Sequence, residues 1–570
     1  MRVAAPLLAG LLVGLAALPG SAAGAQKPTF APPTSDDLIG GELAVDVKDD
    51  ADEATIAAIA KDAGVTLLSN SKWSDAHDKI FRVEGASAAA RAKLAADPRV
   101  ELVEPMHRRF ASFVPNDPFY KQQWHLPRVG SERAWDYGCG RGVTVAVIDT
   151  GVACYDKGPF SVGSDLTGSR CVGGYDFVND RPEAADDHGH GTHVAGTIAQ
   201  TTHNGKGVAG LAHCARLMPI KVLSGDGWGS DADVASGIRF AADEGAQVIN
   251  LSLGGPSPSK VLAAAVRYAL AKGVVIVAAA GNSHFDVGYP AAFPGVLAVS
   301  ASDSHDEIAW FSSRGPEVAI AAPGVDVTQQ TVCNGGTDKC EMFGEWSGTS
   351  MASPHVAGAA ALLVGQGITN PTAVRAALLG AADPKGQPEL YGAGILEAGR
   401  AVANAHWLQV ALRAVFAVVF GFLLARRVRS KGGEFRLGLG VPFGVLLGGT
   451  GLLFFAPLLG LGPRLGGLRW VVDLLQRPLG EWDLLLDARL HRFLPLANAL
   501  PALALTALLY GVARVRGLLG GFALGSAALL GELAVHGAVT TPIGPFFTRV
   551  WLVANALLCL AIARFTLDRK

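Results

Sequence analysis

Five apolar runs constrain this chain most: VTVAVID (143–149), ARLMPIKVL (215–223), AQVINLSLG (246–254), GVVIVAAAGN (273–282) and VLAVSA (296–301). Each is short, rich in Val, Ile, Leu and Ala, and carries few charges. Between them lie stretches with helical spacing at 191–200, 231–244 and 257–272. Strands that are apolar on both sides have to be buried on both faces. Their alternation with helices predicts an α/β fold, a parallel sheet with helices on both faces. In such sheets reactive side chains gather at the carboxyl ends of the strands.

Several polar residues fall at those ends. Asp149 closes the first run and Asn282 closes the fourth. His190 opens a helix in DDHGHGTHVAG (186–196), and Ser350 opens another in SGTSMASPHVAG (347–358). The first of these stretches holds three histidines, His188, His190 and His193. It nearly matches the H-x-H-x-D-H pattern of binuclear metallohydrolases, but Thr192 stands where the Asp belongs. No distal ligand set completes that reading. A serine hydroxyl, by contrast, is a weak nucleophile that needs a nearby base.

Asp149, His190 and Ser350, in that order and with Asn282 between the last two, resemble the subtilisin-like serine proteases (subtilases). The resemblance covers about residues 113–400 and, more weakly, 36–110. It implies that His190 is the general base, that Asp149 orients its imidazole, and that Ser350 attacks the scissile carbonyl. Asn282 and the Ser350 N–H would form the oxyanion hole, with Thr349 supporting them. His193, one helical turn beyond His190, is expected to pack or hydrogen-bond beneath the motif. His188 is expected at the edge of the cleft.

The same resemblance places substrate binding. Ser252, Leu253 and Gly254 look like the strand that lines the P1 pocket and pairs with the substrate backbone. Gly227, Trp228 and Gly229 look like the opposing edge, and Gly288 like the small residue at the pocket base. A peptide held between two edges is an added strand, bound with little sequence preference. The default P1 residue is large and apolar; Asp286 is a candidate attractor for a basic one. Residues 116–126 and 199–210 resemble the calcium-binding segments of thermitase-like subtilases. The implied ligands are the side chains of Asp117, Asp165 and Asn204 and the carbonyls of Thr201, Lys206 and Val208, a hard-oxygen set suited to structural Ca²⁺. No catalytic metal is expected.

The N-terminus, MRVAAPLLAGLLVGLAALPGSAAGAQ, has a basic residue, an apolar run and an A-x-A-like site, as a secretory signal peptide over 1–25 does. An uncleaved anchor helix is the alternative; either one exports the segment behind it. Residues 26–112 read as a small α+β module: strands at 42–47, 79–85 and 99–105, helices at 52–64 and 87–97. It resembles the family's propeptide, a folding assistant and intramolecular inhibitor removed by a cut within 106–115. Six of the seven cysteines (Cys139, Cys154, Cys171, Cys214, Cys333 and Cys340) precede the apolar C-terminal part, an even number compatible with up to three disulfides in an exported domain. Cys333–Cys340 is the easiest pairing, closing a short Gly-rich loop. No C-x-x-C pair points to structural zinc.

A catalytic domain over 113–405 is followed, over 406–570, by long Leu, Ala, Val, Phe and Gly runs. Five stretches near the ~20 residues needed to cross a bilayer are expected at 408–425, 438–460, 493–512, 517–536 and 547–564, an all-α transmembrane region of no recognised family. The basic segments ARRVRSK, RVR and RFTLDRK follow the first, third and fifth, so all three fall on the cytoplasmic side if the protease is exported. Residues 463–492 are then an outer loop with an amphipathic piece at LRWVVDLLQ. Ser526 and His536 are ten residues apart on one helix and point in different directions, which excludes them as a second catalytic pair. Glu532 and His536 share a face near the outer interface.

These features predict a multi-pass protein of a cytoplasmic-type membrane with an extracytoplasmic serine endopeptidase domain that acts on proteins or peptides. A catalytically inactive receptor or scaffold on a membrane module is the second reading. A net charge of −2 and the absence of a basic, aromatic-laced stripe argue against a dedicated nucleic-acid binder.

Overall fold

The computed structural model describes residues 38–107, 113–156, 161–166, 170–332, 342–435, 438–461, 468–489, 491, 498–539 and 541–569. The expected signal peptide, the Cys333–Cys340 pairing and the 108–112 part of the maturation segment lie outside them.

The chain divides into two compact units, 1–111 and 112–570. The first is a four-stranded antiparallel sheet in the order β2-β3-β1-β4, from β1 (Leu38–Val47), β2 (Leu68–Ser69), β3 (Ile80–Glu84) and β4 (Val100–His107). Period-two alternation turns Leu43, Val45 and Val47 inward. They meet Ile59 and Leu94 from the helices Glu53–Ala63 and Ala88–Ala96. Both helices start on side-chain caps: Asp52 accepts the Thr55 N–H and Ser87 that of Ala90. The strand β2 and the short helix Lys72–Ala76 were not anticipated from the sequence.

The second unit is built on a seven-stranded parallel sheet in the order β11-β10-β9-β8-β5-β7-β6. Its strands are β5 (Thr144–Asp149), β6 (Tyr175–Asp176), β7 (Arg216–Lys221), β8 (Val248–Leu251), β9 (Val275–Ala279), β10 (Leu297–Ser302) and β11 (Val318–Pro323). Alternate residues of β5 serve two cores. Val145 and Val147 join the layer with the helices His190–Ala199 and Thr349–Gly365. Ala146 and Ile148 join the layer with Asp231–Asp243 and Lys260–Ala271. This is the doubly covered parallel sheet that the near-continuous apolar runs require. Strand order reverses at β5, so Asp149 ends at a topological switch point, where α/β sheets open a crevice. Disulfides join Cys139 to Cys214 and Cys154 to Cys171.

The C-terminal part departs from the five-helix expectation. Among the described residues, three helices are long and apolar enough to cross a membrane: Ala398–Ser430, Ala513–His536 and Pro545–Leu567. In the other two stretches the described residues form the ten-residue helices Gly440–Gly449 and Leu500–Leu509, with a 3₁₀ turn at Ala456–Leu459 after the first. Gly449-Thr450-Gly451 supplies poor helix formers where the first of these stops, and Pro501 sets the start of the second. The helix Ala398–Ser430 runs without a break through position 405. Within the expected outer loop, the described residues form the helix Arg469–Leu475, where the amphipathic piece was expected, and a 3₁₀ turn over Leu479–Leu485, and both pack against the sheet-bearing part. Glu532 lies one turn from the end of Ala513–His536. It is fully buried and pairs with Arg413, whose guanidinium also holds Glu481 at 2.6 Å. Buried charges persist when paired in this way.

Candidate active site

Asp149 is the last residue of β5 and His190 the first of its helix, and the two meet, Nδ1 to Oδ1, at 2.7 Å. The approach depends on Gly191. A Cβ there would lie 2.0 Å from the Gly151 carbonyl oxygen and 3.1 Å from the Asp149 Cβ, so any side chain would push the helix off the strand end. The Gly191 N–H instead donates to Thr150 Oγ1.

Asp186, absent from the expected site residues, ties this corner together. Its buried carboxylate accepts five hydrogen bonds: from Thr150 Oγ1, the N–H groups of His188, Gly189 and Thr192, and Thr192 Oγ1. Lys221, also fully buried, adds Nζ bonds to the Thr150 and Leu223 carbonyls and an ion pair with Asp187. Position could have flagged Asp186, since an acidic residue four before His190 sits where the loop must turn into the helix.

The three histidines of DDHGHGTH have different environments. Burial alone would lower the His190 pKa, but the charge and hydrogen bond of Asp149 outweigh it and hold the imidazole above the ordinary 6.5. His193 is fully buried; it stacks on Trp346 at 5.0 Å and donates from Nε2 to the Val327 carbonyl. Burial, with His190 nearby, pushes its pKa down to about 3, which keeps it neutral. His188 is exposed beside Gly227, where a Cβ would sit 3.4 Å from its Nε2. Three such environments do not make one metal site.

Ser350 lies in the first turn of Thr349–Gly365, a helix start whose free N–H groups favour negative charge. Its hydroxyl donates to the Ser252 carbonyl at 3.1 Å, and no hydrogen bond joins it to His190 among the described residues. Asn282 Oδ1 accepts both the N–H and the hydroxyl of Thr349, each at 2.9 Å. That leaves the Asn282 amide NH₂ as a donor beside Ser350.

The expected substrate residues flank this group. Ser252 Oγ bonds the Ser350 carbonyl at 2.8 Å, and Ser252–Gly254 continue β8 beyond its last paired residue. Gly288 lies against the same segment, a Cβ there falling 3.0 Å from the Gly255 carbonyl oxygen. Gly227 and Trp228 lie in a turn closed by Ser224 N–H to the Trp228 carbonyl, Gly229 follows it, and Trp228 is 68% exposed. No hydrogen bond joins the two edges among the described residues. Asp286 is exposed on its loop.

Asp117, Asp165 and the loop 201–208 come together at a separate place. Asp117 accepts the N–H groups of His203 and Asn204; Asp165 accepts Asn204 Nδ2 at 2.6 Å and the Val208 N–H. Burial pushes both carboxyl pKa values up, against those hydrogen bonds. Thr201 Oγ1 is buried without a hydrogen-bond partner among the described residues. The carbonyls of Thr201, Lys206 and Val208 accept no hydrogen bond from the described residues. Two buried carboxylates and uncommitted oxygens around one loop fit a hard cation.

Comparison with known proteins bears on the whole of this part of the chain. The model of the subtilase family, peptidase S8, matches residues 140–394. The thermophilic serine proteinase of Bacillus sp. (strain AK1) is 39% identical, over 58% of this chain and 79% of its own length. Thermitase of Thermoactinomyces vulgaris is 41% identical over 48% of this chain and 92% of its own. Subtilisin BL of Lederbergia lenta is 42% identical over 48% and 96%.

Proposed function

Because this chain belongs to the subtilase family and is a serine endopeptidase of the subtilisin type, we propose that Asp149, His190, Ser350 and Asn282 carry its peptide-bond hydrolysis. The observation that carries the assignment is the 2.7 Å bond between His190 and Asp149 at the strand end facing the Ser350 helix. Asp149 occupies Nδ1 of His190, so Nε2 is the free base. The Ser350 hydroxyl swings from the Ser252 carbonyl to that nitrogen, gives up its proton and attacks the substrate carbonyl carbon. The oxyanion is met by the Ser350 N–H and the Asn282 amide. As the intermediate collapses, the protonated His190 hands its proton to the leaving amine. Water then repeats the sequence on the acyl-enzyme, with His190 again the base.

Substrate lies as an extended strand against Ser252–Gly254 on one side and Gly227–Gly229 on the other, with Gly288 keeping the pocket base open. Ca²⁺ held by Asp117, Asp165, Asn204 and the loop carbonyls would stiffen the 199–210 loop and take no part in the chemistry. Residues 26–112 act as an inhibitory propeptide; a separate four-stranded unit over the described part of that range supports the reading.

The chain spans a membrane, with the protease on the extracytoplasmic side. The end of Ala513–His536 meets the catalytic part, the Asn370 N–H donating to the Ala538 carbonyl at 2.9 Å. The opposite ends cluster: the two-residue strand Glu434–Phe435, after the first long helix, pairs with Asp568–Arg569, after the last. The basic residues Arg426, Arg427, Arg429 and Lys431, with Arg514, Arg516 and Arg564, belong to those ends, as the positive-inside rule requires.

The test is fluorophosphonate labelling of the purified protein and its Ser350→Ala variant, with and without a zinc chelator. Labelling should require Ser350 and ignore the chelator. Labelling that survives Ser350→Ala would sink the assignment, and an unlabelled wild type would favour the scaffold reading.

A further inference from the structure

The parallel sheet has a direction, and the C-terminal part is docked on one end of it. Asp149, Ser350 and Asn282 lie at the carboxyl ends of strands or at a helix start facing them. The opposite ends meet residues 468–489. The Ala488 N–H donates to the Gly142 carbonyl, two residues before β5. Asp487 pairs at 3.0 Å with Arg216, the first residue of β7. Arg489 donates to the Glu244 carbonyl just ahead of β8. The dock has no slack: a Cβ on Gly142 would fall 1.8 Å from the Leu484 carbonyl oxygen, and the fully buried Leu484 belongs to the same core as Val143, Ala212 and Ile368. The Gln366 carbonyl, at the far end of the helix that Ser350 opens, accepts Gln409 Nε2 from the first long apolar helix.

From this geometry we infer that the catalytic cleft is held facing away from the bilayer, and that its substrates are extracytoplasmic polypeptide segments well clear of the membrane, not intramembrane or membrane-proximal bonds. The inference rests on the membrane reading above. The separation comes from the elements between. The helix Thr349–Gly365 spans about 24 Å from the cleft to the docking face. The docked layer of Arg469–Leu475 and Leu479–Leu485 adds a helix diameter of about 10 Å. A cleft about 30 Å above the lipid is beyond a short tether, since an extended chain covers at most about 3.3–3.6 Å per residue. A membrane protein can be cut only where about ten or more unstructured residues separate its membrane exit from the scissile bond. Soluble chains carry no such limit. The dock enters the protease core itself, so the cleft cannot swing down on a linker.

The full chain, reconstituted in phosphatidylethanolamine–phosphatidylglycerol vesicles, tests this. The reporters are a soluble peptide and single-span proteins with the same cleavable sequence after flexible spacers of 4, 10, 20 or 30 residues. The soluble peptide and the 30-residue reporter should be cut, the 4-residue reporter at least tenfold more slowly, and the difference should vanish in detergent. Equal cutting of the 4- and 30-residue reporters in vesicles would overturn the inference while leaving the protease assignment standing. Failure to cut the soluble peptide would overturn both.

Discussion

Nδ1 of His190 lies 2.7 Å from Oδ1 of Asp149, although 41 residues separate them in the chain. The bond fixes the imidazole tautomer with Nε2 unprotonated. Asp149→Asn should therefore fold normally and lose about 10⁴-fold in kcat, because an amide at that position favours the wrong tautomer. Steady-state hydrolysis of a chromogenic peptide, with circular dichroism as the folding control, measures this.

The pH profile depends on the same pair. His190 works as a base only when neutral, and its pKa is held above 6.5 by Asp149 against the opposing effect of burial. Activity should fall as pH drops through that raised value, so the acid limb of kcat/KM has its midpoint above 6.5. His193, at about 3, adds no limb in the working range. In Asp149→Asn the residual activity should show its acid limb at lower pH.

Asn282→Ala should lower kcat by about 10²–10³ with little change in KM, the loss found when the corresponding donor of subtilisin is removed. Asn282 also accepts two hydrogen bonds from Thr349, so the thermal midpoint of the variant has to be measured beside its kinetics. A fall in KM-independent turnover at an unchanged midpoint separates oxyanion binding from structural support.

Chelation by EGTA should lower the thermal midpoint by several degrees, because a ligand that binds only the folded state stabilises it by mass action. In Asp165→Asn the EGTA effect should largely disappear. An unchanged midpoint in the wild-type protein would remove the calcium assignment.

Leu484→Ala tests whether residues 468–489 belong to the protease core. Leu484 is fully buried among catalytic-domain residues, so the truncation should destabilise the protease by about 2–5 kcal/mol. Peptidase activity should be lost at lower temperature, with unchanged kinetics at 25 °C.

What the amino-acid sequence determined by itself was local or periodic. Continuous apolar strands between helices demanded a doubly covered parallel sheet, because no other arrangement buries both faces. Asp149, His190, Ser350 and Asn282 stand out through short motifs at strand or helix termini that resemble those of subtilases. Tertiary structure decided what depends on residues far apart in the chain. The place of Asp186 four residues before His190 marks a turn, but the five hydrogen bonds that converge on it from Thr150, His188, Gly189 and Thr192 come from the fold. Hydropathy read five spans because it registers apolar length alone. The burial of Leu484, Arg413 and Glu532 depends on partners that the windows do not contain. A helix can be read from its own residues, but the end of the sheet on which it docks is set by packing between segments hundreds of residues apart.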